Sequence, residues 1–356
     1  MKILTVVGAR PQFIKAAPVS RAVRQDHQEF LLHTGQHYDD AMSDLFFRQL
    51  HIPPPDLNLE VGSGRHGAQT AAMLPGIESV ALEKSPDWIL VYGDTNSTLA
   101  GALVGAKLHI PVAHVEAGLR SYDRRMPEEV NRVVADHVSD LLLCPTDRAA
   151  SNLAREGITV GVLTVGDVMY DAFRQNVEIA RRSSGLVAEL GLEPDRYVLL
   201  TVHRAENVDD QARLGAILRG VTDSGRRVLF PVHPRTRAAL ASSGVKPGPN
   251  VTLIDPVGYL EMLALEDNAE AIATDSGGVQ REAYFAGKAC ITLRERTEWT
   301  ETVDAGWNVL VGTDSEKIAA AMRDFRPSGA RPQLFGDGHA AERVVDALSS
   351  SKVSNP

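Results

Sequence analysis

Short apolar runs alternate with longer amphipathic stretches along the whole chain, which predicts strands that are each followed by a helix. In the first half the predicted strands are KILTVVG, EFLLHTG, Trp88–Tyr92, Val112–Val115 and DLLLCPT. In the second half the pattern restarts with YVLLTVH, VLFPVH, VTLID, AIATD and ACITL. Such alternation is typical of parallel sheets with crossover helices. The sequence therefore predicts an α/β protein with two Rossmann-like, doubly wound domains that face a cleft.

A polar helical stretch, QNVEIARRSSGLVAELGLEPD, separates the two halves and predicts the connection between the domains. We expect an N-terminal domain over residues 1–168, the connection over 169–195 and a C-terminal domain over 196–338. The remaining residues, 339–356, predict a final helix and a tail.

The composition is that of an ordinary globular protein, with 356 residues, 44% hydrophobic residues and a formal net charge of −9. An acidic chain offers no general field for nucleic acid, so an anionic ligand must be held by local groups. No apolar run approaches a membrane span and no signal-type layout opens the chain, so we expect a cytoplasmic protein. Cys144 and Cys290 lie in apolar runs without metal-ligand spacing, which predicts buried reduced thiols and no metal site.

Charged side chains cluster around a β-α-β unit that covers residues 87–132. Asp94 and Glu116 each follow a predicted buried strand, and Glu128 follows Pro127 at the predicted start of a helix. Ligands of open α/β sheets bind beyond the carboxyl ends of the strands, so these three acids are candidate catalytic groups. The alternative is that single acids here only cap helices and that the nearby arginines solvate a loop.

Two further strand exits combine features that favour anions. Arg10 and Lys15 lie where the first strand passes through a glycine turn into a helix, whose N-terminus favours negative charge. Ser276, Gly277 and Gly278 open a helix after AIATD, and two glycines there allow close backbone approach to a phosphate. The strand YVLLTVH ends in a histidine beside an arginine, which adds two candidate binding residues, His203 and Arg204.

A glycine-rich segment, GSGRHG, formally matches the dinucleotide fingerprint GxGxxG. The preceding DLNLEV is too polar for a buried parallel strand, so the segment predicts a surface loop instead. We therefore expect no nicotinamide cofactor.

With these residues placed, the chain resembles the non-hydrolysing UDP-N-acetylglucosamine 2-epimerases. The motifs that carry the resemblance occur in the order of that family: GARPQFIK, YGDTNSTLA, HVEAGLR, MPEEVNR, VHRAEN and TDSGGVQREA. The resemblance implies the GT-B arrangement of two Rossmann-like domains, a UDP-sugar in the cleft and a homodimer. It also implies an isomerase that needs neither metal nor nicotinamide.

The resemblance also implies a role for each matching residue. Near the phosphates it implies Arg10, Lys15 and His203, with Arg204 counted among the substrate-binding residues. As contacts to UDP or its ribose it implies Ser276, Gly277, Gly278 and Glu282. As catalytic acids it implies Asp94, Glu116 and Glu128, with His203 beside them in the catalytic set.

The chemistry of C2 inversion explains why several carboxylates are needed. The C2 hydrogen of N-acetylglucosamine has no carbonyl beside it, so direct deprotonation is difficult. If UDP leaves first, C2–H becomes acidic, a carboxylate removes the proton and a 2-acetamidoglucal forms. Protonation from the other face and return of UDP give UDP-N-acetylmannosamine, reversibly, as a precursor of cell-surface polysaccharides. We assign the roles of base and acid to Asp94, Glu116 and Glu128 as a group, without dividing the roles among them.

Some positions depart from the family pattern and leave more than one function open. Ala205 stands in HRAE where many members have HRRE, and Trp299 stands where better-known members carry an arginine that touches the nucleotide sugar. The substrate could therefore be another UDP-2-acetamido sugar. A GT-B glycosyltransferase and a nucleotide-sugar-binding regulator without turnover are two further candidate functions.

A regulatory site is the last prediction from the resemblance. Bacterial relatives with a QHxxM-type motif are expected to bind a second UDP-N-acetylglucosamine beside the active site. In this chain Gln36, His37 and Arg65 are the corresponding candidates, in a motif that is longer by one residue before Met42.

Overall fold

The computed structural model describes residues 1–36, 47, 52–183 and 185–351, in which the strands form two parallel sheets. By contacts the chain divides into two units. The first unit consists of Met1–Arg174 and Phe335–Pro356, and the second of Gln175–Leu334. The division falls inside a helix, and the C-terminal helix belongs to the first unit.

The first unit is built on a seven-stranded sheet in the order β3-β2-β1-β4-β5-β6-β7. Every pairing is parallel, and β1 lies between β2 and β4. The strands are β1 (Lys2–Val7), β2 (Gln28–His33), β3 (Leu57–Asn58), β4 (Trp88–Tyr92), β5 (Val112–Val115), β6 (Leu141–Cys144) and β7 (Val162–Thr164). Strand order reverses beside β1, so the loops after β1 and β4 diverge and leave a space at the carboxyl edge of the sheet.

Helices connect these strands and pack on the sheet. They are α1 (Arg10–Asp26), α2 (His66–Lys84), α3 (Asn96–Leu108), α4 (Pro127–Val138), α5 (Asp147–Arg155), α6 (Val168–Ser183) and the C-terminal helix, Ala340–Ser350. The central strands are buried on both faces because helices cover both, which is why β4 is a continuous apolar run and β5 has one polar residue, His114.

The second unit repeats this design with six strands in the order β10-β9-β8-β11-β12-β13, again all parallel. The strands are β8 (Val198–Thr201), β9 (Val228–Pro231), β10 (Val251–Ile254), β11 (Ala271–Thr274), β12 (Ala289–Thr292) and β13 (Asn308–Leu310). The order reverses beside β8, so the loops after β8 and β11 diverge as those after β1 and β4 do.

The helices of the second unit follow the same alternation. They are α7 (Leu186–Glu189), α8 (Ala205–Val208), α9 (Gln211–Asp223), α10 (Pro234–Ser243), α11 (Tyr259–Asn268), α12 (Gly277–Phe285), α13 (Thr300–Asp304) and α14 (Ser315–Asp324); the C-terminal helix is α15. Side-chain caps start several helices: Thr95, Thr146, Asp210, Ser276 and Asp314 each accept a hydrogen bond from the first turn.

The predicted α/β class with two Rossmann-like parallel sheets is confirmed. Cys144 and Cys290 are buried free thiols, and burial raises the pKa of each to about 12. Among the described residues, no helix combines the length and apolar character needed to cross a membrane.

Asp171 of α6 holds the start of α15 within the first unit. Its Oδ2 accepts a hydrogen bond of 2.7 Å from the Ala341 N–H, and the residue is 2% exposed. Burial raises the pKa of Asp171 to about 6, because its charged form is poorly solvated there. Below about pH 4 the carboxyl is protonated in both the folded and the unfolded chain.

Asp171→Asn should therefore change how stability depends on pH. As the pH rises from about 4 to 6, Asp171 loses its proton in the unfolded chain before it does so in the folded chain. The free energy of unfolding of the wild type therefore falls by up to about 3 kcal/mol, and that of the Asp171→Asn variant does not. We expect the melting temperature of the variant, relative to the wild type, to rise across this window in calorimetry. The exposed Asp324→Asn is the matched control, and an equal response of both variants would contradict the prediction.

Candidate active site

The strand order of the first unit brings three predicted strand exits together at one edge. The register pairs Val6 of β1 with Val91 of β4, and Tyr92 of β4 with Val115 of β5. The segments that follow these strands begin at Gly8, Gly93 and Glu116, so they are neighbours at the carboxyl edge of the sheet. This edge is where ligands of such sheets bind.

Gln12 fixes the start of α1 and occupies donors that could have held an anion. Its Oε1 accepts from the N–H groups of Gly8 and Ala9 at 2.8 and 3.0 Å, and its Nε2 donates to the Tyr92 carbonyl at 2.9 Å. Arg10, the first residue of the helix, is half-buried. An anion at this point would therefore be held by the Arg10 guanidinium rather than by the N–H groups of Gly8 and Ala9.

Glu116 has an unusual backbone conformation directly after β5. Its φ is +72°, in the left-handed region that costs a residue with a side chain about 1–3 kcal/mol. The turn is held by hydrogen bonds of the Glu116 and Ala117 N–H groups to the Leu143 carbonyl, at 3.0 and 3.3 Å. The surrounding structure thus imposes the direction of this side chain at the cost of local strain.

The Glu116 carboxylate lies against the Lys15 ammonium, with 2.7 Å between Oε1 and Nζ. Both side chains are nearly fully buried, with exposures of 5% and 6%. Gly93 makes room for the pair: a Cβ there would stand 2.8 Å from Lys15 Nζ and 3.6 Å from Glu116 Oε1. Three segments distant in sequence therefore build one buried ion pair.

A second buried network holds the loop after Glu116. His114 contacts the Gly93 carbonyl through Nε2 and Asp136 Oδ1 through Nδ1, both at 2.7 Å. Both partners are acceptors, so both ring nitrogens donate. Burial alone would raise the pKa of Asp136, but hydrogen bonds and charge from His114 and Arg120 lower it overall. Asp136 also accepts from the Gly118 N–H at 3.1 Å, which ties the loop to α4.

Arg132 of α4 joins Asp94 to the same region. Its guanidinium makes an ion pair with Asp94 Oδ2 and another with Glu129 Oε2 at 2.8 Å. Glu129 is also bonded to the N–H and hydroxyl of Ser121, both at 2.9 Å. Glu128 is exposed, in contrast to the buried Glu129. Of these two neighbouring acids, Glu129 is therefore engaged in holding the loop, and Glu128 points to the solvent-accessible side.

In the second unit the segment after β11 forms the start of α12. Ser276 caps the helix, with its Oγ 3.4 Å from the Val279 nitrogen. A Cβ at Gly277 would stand 2.3 Å from Glu298 Oε1, so the Glu298 carboxylate packs directly against this glycine. At Gly278 a Cβ would meet only Ser276 Oγ, at 3.7 Å, which leaves the outer side of this turn open.

Asp275 joins the segment after β11 to the one after β8, and sequence analysis did not single it out. The carboxylate is fully buried and accepts hydrogen bonds from the N–H groups of His203 and Arg204 at 3.1 and 3.0 Å, and from the Asn207 amide at 3.1 Å. His203 Nδ1 lies 3.4 Å from Asp275 Oδ1. An acid directly before a Ser-Gly-Gly helix start was the signal that could have identified it.

His203 has a second histidine beside it, which the sequence analysis also left out. The ring of His233, which follows β9, has its centroid 5.9 Å from that of His203. Burial lowers the pKa of His203, as do Arg204 and His233, whereas Asp275 opposes this shift. Burial and Arg235 lower the pKa of His233. Both lowered pKa values favour neutral rings at pH 7, able to donate one hydrogen bond each.

Glu282 of α12 is 6% exposed and lies in a cluster of acidic groups. Burial raises the pKa of Glu266 well above its usual range, and the neighbouring Glu282 raises it further. Burial, then Glu282, raises the pKa of Tyr259 as well. Both causes disfavour the charged form of Glu266, because a buried carboxylate is poorly solvated and a second carboxylate beside it repels its charge.

Trp299 is 1% exposed, so its indole is part of the interior of the second unit. The Arg281 guanidinium stacks over this indole, with its carbon 4.3 Å from the ring centroid. Trp299 Nε1 would be 3.6 Å from a Cβ at Gly277. The residue that departs from the family pattern thus packs behind the start of α12.

The candidates for a regulatory site are only partly described. The Gln36 amide oxygen accepts from the Ser97 N–H and hydroxyl at 3.0 and 2.7 Å, and this side chain is buried. Arg65 is exposed at the residue before α2. His37 lies outside the described residues. A regulatory role for these three residues stays a prediction.

No set of three or more His, Cys, Asp or Glu side chains in the described ranges is arranged to hold a metal ion. Of the candidates named from sequence, the first unit assembles Arg10, Lys15, Asp94, Glu116 and Glu128 around one sheet edge. The second unit assembles the remaining candidates around another: His203, Arg204, Ser276, Gly277, Gly278 and Glu282.

Comparison with known proteins supports one family. Residues 21–349 match the family described as UDP-N-acetylglucosamine 2-epimerase. A Methanococcus maripaludis protein named UDP-N-acetylglucosamine 2-epimerase homolog is 51% identical, over 98% of this chain and 99% of that protein. A Pseudomonas aeruginosa UDP-2,3-diacetamido-2,3-dideoxy-D-glucuronate 2-epimerase is 47% identical, over 98% and 99% of the two chains.

Solved structures give the same result. The crystal structure of the Methanocaldococcus jannaschii UDP-GlcNAc 2-epimerase in complex with UDP-GlcNAc and UDP superposes with a TM-score of 0.91 and 45% identity. It covers 99% of this chain and 100% of that chain. The similarity therefore extends over both sheets.

The Asp275 network predicts a local loss of stability on substitution. Asp275→Asn replaces an acceptor-only carboxylate with a group whose NH₂ would face the N–H donors, which should cost about 2–4 kcal/mol. Thermal unfolding should show this loss, and amide hydrogen exchange should show faster opening of residues 203–207. Asp255→Asn is the control, because that side chain is 91% exposed and should change stability by less than about 0.5 kcal/mol. Equal effects of the two changes would refute the role of the network.

Proposed function

The chain belongs to the UDP-N-acetylglucosamine 2-epimerase family, and from that premise we propose that it inverts C2 of UDP-N-acetylglucosamine reversibly. The product is UDP-N-acetylmannosamine, a precursor for cell-surface polysaccharides. The observation that carries the proposal is the group of acids at the carboxyl edge of the first sheet. Asp94 and Glu116 follow adjacent strands, and each has a cation against it, Arg132 and Lys15.

The reaction that fits this group proceeds by elimination and re-addition. The C1–O bond breaks and its electron pair leaves with UDP, which makes the C2 hydrogen acidic. A carboxylate then accepts the C2 proton, and the C–H electron pair becomes the double bond of a 2-acetamidoglucal. A proton added to C2 from the opposite face, with return of a UDP oxygen to C1, gives the epimer. Asp94, Glu116 and Glu128 supply the base and the acid.

We further propose that the second unit holds the UDP. Ser276 and the backbone of Gly278 at the start of α12 suit a phosphate, since the outer side of that turn is open. Glu282 suits the hydroxyl groups of a ribose, which can donate hydrogen bonds to a carboxylate. The other residues of this unit in the proposal are His203, Arg204 and Gly277. Arg10, in the first unit, is a further candidate for holding an anionic group of the substrate.

A second candidate substrate is a UDP-2-acetamido sugar with further substituents. The observation that favours it is the 47% identity to an epimerase named for a UDP-2,3-diacetamido glucuronate. Trp299 supports it too, because the family's usual arginine contact to the nucleotide sugar is absent at this position. The chemistry at C2 would be the same, since the 2-acetamido group is common to both sugars.

We propose that the protein assembles as a homodimer through the outer faces of three adjacent helices. Helix α3 packs between α2 and α4. On these helices Ala71, Ala72, Pro75 and Val130 are exposed, and Leu103 is half-buried. Apolar side chains exposed on the outer faces of packed helices are typical of a contact between subunits.

Turnover in heavy water should place deuterium at C2 and release small amounts of UDP and glycal. The amides Asp94→Asn, Glu116→Gln and Glu128→Gln should each lower turnover by about 10²-fold or more, because general acid–base catalysis contributes about 10²–10⁴. UDP binding should stay largely intact in all three. NMR of the sugar and calorimetry of UDP binding measure these effects.

The same assay, run with UDP-N-acetylglucosamine and with UDP-2,3-diacetamido-2,3-dideoxy-D-glucuronate, separates the two candidate substrates. The preferred sugar is the one with the higher kcat/KM. Epimerisation with full retention of the original C2 hydrogen would rule out the elimination route. Wild-type rates in all three amide variants would rule out the acid assignment.

Ala72→Glu should weaken the proposed dimer, because a charge would be buried in an apolar contact. Glutamate is a good helix former, so the fold of α2 should not suffer. Light scattering coupled to size exclusion should show monomer at concentrations at which the wild type is a dimer. Ala320→Glu, on the exposed side of α14, is the matched control. If both variants remain dimers, the contact lies elsewhere.

A further inference from the structure

The sequence and the family resemblance imply a phosphate role for Lys15, but its ammonium lies on an acid of the reaction. Nζ is 2.7 Å from Glu116 Oε1, and Lys15 as a residue is 5% exposed. The pair is seated over Gly93, whose missing side chain leaves the space that Nζ occupies. A lysine whose role is to bind the diphosphate is expected to expose its ammonium group to solvent before the diphosphate binds.

A buried cation at this distance changes the proton affinity of a carboxyl group. An opposite charge within about 4–6 Å lowers the pKa of a carboxylic acid by about 1–3 units, and screening by water is weak at a buried site. Glu116 would thus be kept ionised at neutral pH. A group that must take a proton from carbon has to enter the reaction in this unprotonated form.

We propose that Lys15 is a positioning residue that keeps Glu116 ionised and directed, and that Glu116 is consequently the base at C2. This proposal rests on the proposed function. In the forward reaction the C2 proton passes to a Glu116 oxygen, the C–H electron pair forms the C1–C2 double bond and the C1–O pair leaves with UDP. In reverse, the ammonium makes protonated Glu116 more acidic, which favours return of the proton to C2.

Other charged groups lie on the elements that surround the pair. Arg10 lies on the helix that carries Lys15, and Asp94 follows the strand beside β5 and is paired with Arg132. His114 lies on β5 itself, but its ring faces Asp136 and the Gly93 carbonyl. Lys15 is the cation with a direct contact to Glu116 in the hydrogen bonds described above.

Lys15→Met separates a positioning role from a phosphate-binding role. If Lys15 keeps Glu116 ionised, kcat of the Lys15→Met variant should fall about 10²-fold. The acidic limb of its plot of kcat against pH should shift to higher pH by about one unit or more. UDP affinity, measured by calorimetry, should change less than about threefold. If Lys15 instead binds the diphosphate, Lys15→Met should reduce the affinity for UDP about tenfold or more and leave the acidic limb of the pH profile of kcat where it is. That result would falsify the proposal.

Further variants test whether the effects of Lys15→Met arise only from a loss of folding. Lys15→Arg keeps a positive charge and should keep the acidic limb near its wild-type position, although kcat falls. Lys15→Met combined with Glu116→Gln removes both charges, so it avoids an unpaired buried carboxylate and should fold as judged by circular dichroism. Its UDP affinity should match the wild type, and a tenfold loss there would again overturn the proposal. Lys107→Met, on the exposed side of α3, is the matched control.

Failure of the proposed function has a different signature. If the wild-type protein puts no solvent deuterium at C2 of either UDP-sugar, the epimerase function itself is wrong. If the wild type does exchange, but Lys15→Met leaves its pH profile unchanged, only the role of Lys15 is wrong.

Discussion

The candidate sites depend on the parallel arrangement of the strands, which places the segments that follow the strands at the same edge of each sheet. Beside β1 in the first sheet and beside β8 in the second, the strand order reverses, so successive loops turn away from one another. Space opens at these two places, and the polar segments of the chain lie there. The strands themselves are mostly apolar, because helices cover both faces of each sheet.

The site in the first unit combines backbone strain with buried charge. Glu116 adopts a left-handed backbone, and its carboxylate and the Lys15 ammonium are both buried. Each feature alone would be unfavourable by about 1–3 kcal/mol or more. Together with the His114 and Asp136 network they fix one side chain in one direction. Such preorganisation suits acid–base chemistry in general, because the group that moves a proton must already be in place.

The second unit also uses a buried carboxylate to hold its loops in place. Asp275 uses one buried carboxylate to hold the turn after β8 against the start of α12. His203 then stands beside the helix start, and burial lowers its pKa, whereas burial and Glu282 raise the pKa of Glu266. One buried acceptor thus holds two strand exits of the second sheet together.

The sequence by itself determined most of the strands, the α/β class and the polar residues at the strand exits, because buried parallel strands are apolar runs that end abruptly. It did not indicate the short strands β3, β7 and β13. It also determined the family, since HVEAGLR, VHRAEN and TDSGGVQREA are specific motifs. Strand order was not readable, because a local pattern does not record which strands become neighbours. Only the tertiary structure decided that Lys15 meets Glu116 across 101 positions, and that Glu129 rather than Glu128 is held in the loop. Buried partners such as Asp275 and Gln12 escaped sequence analysis for the same reason: their roles exist only through contacts with distant segments.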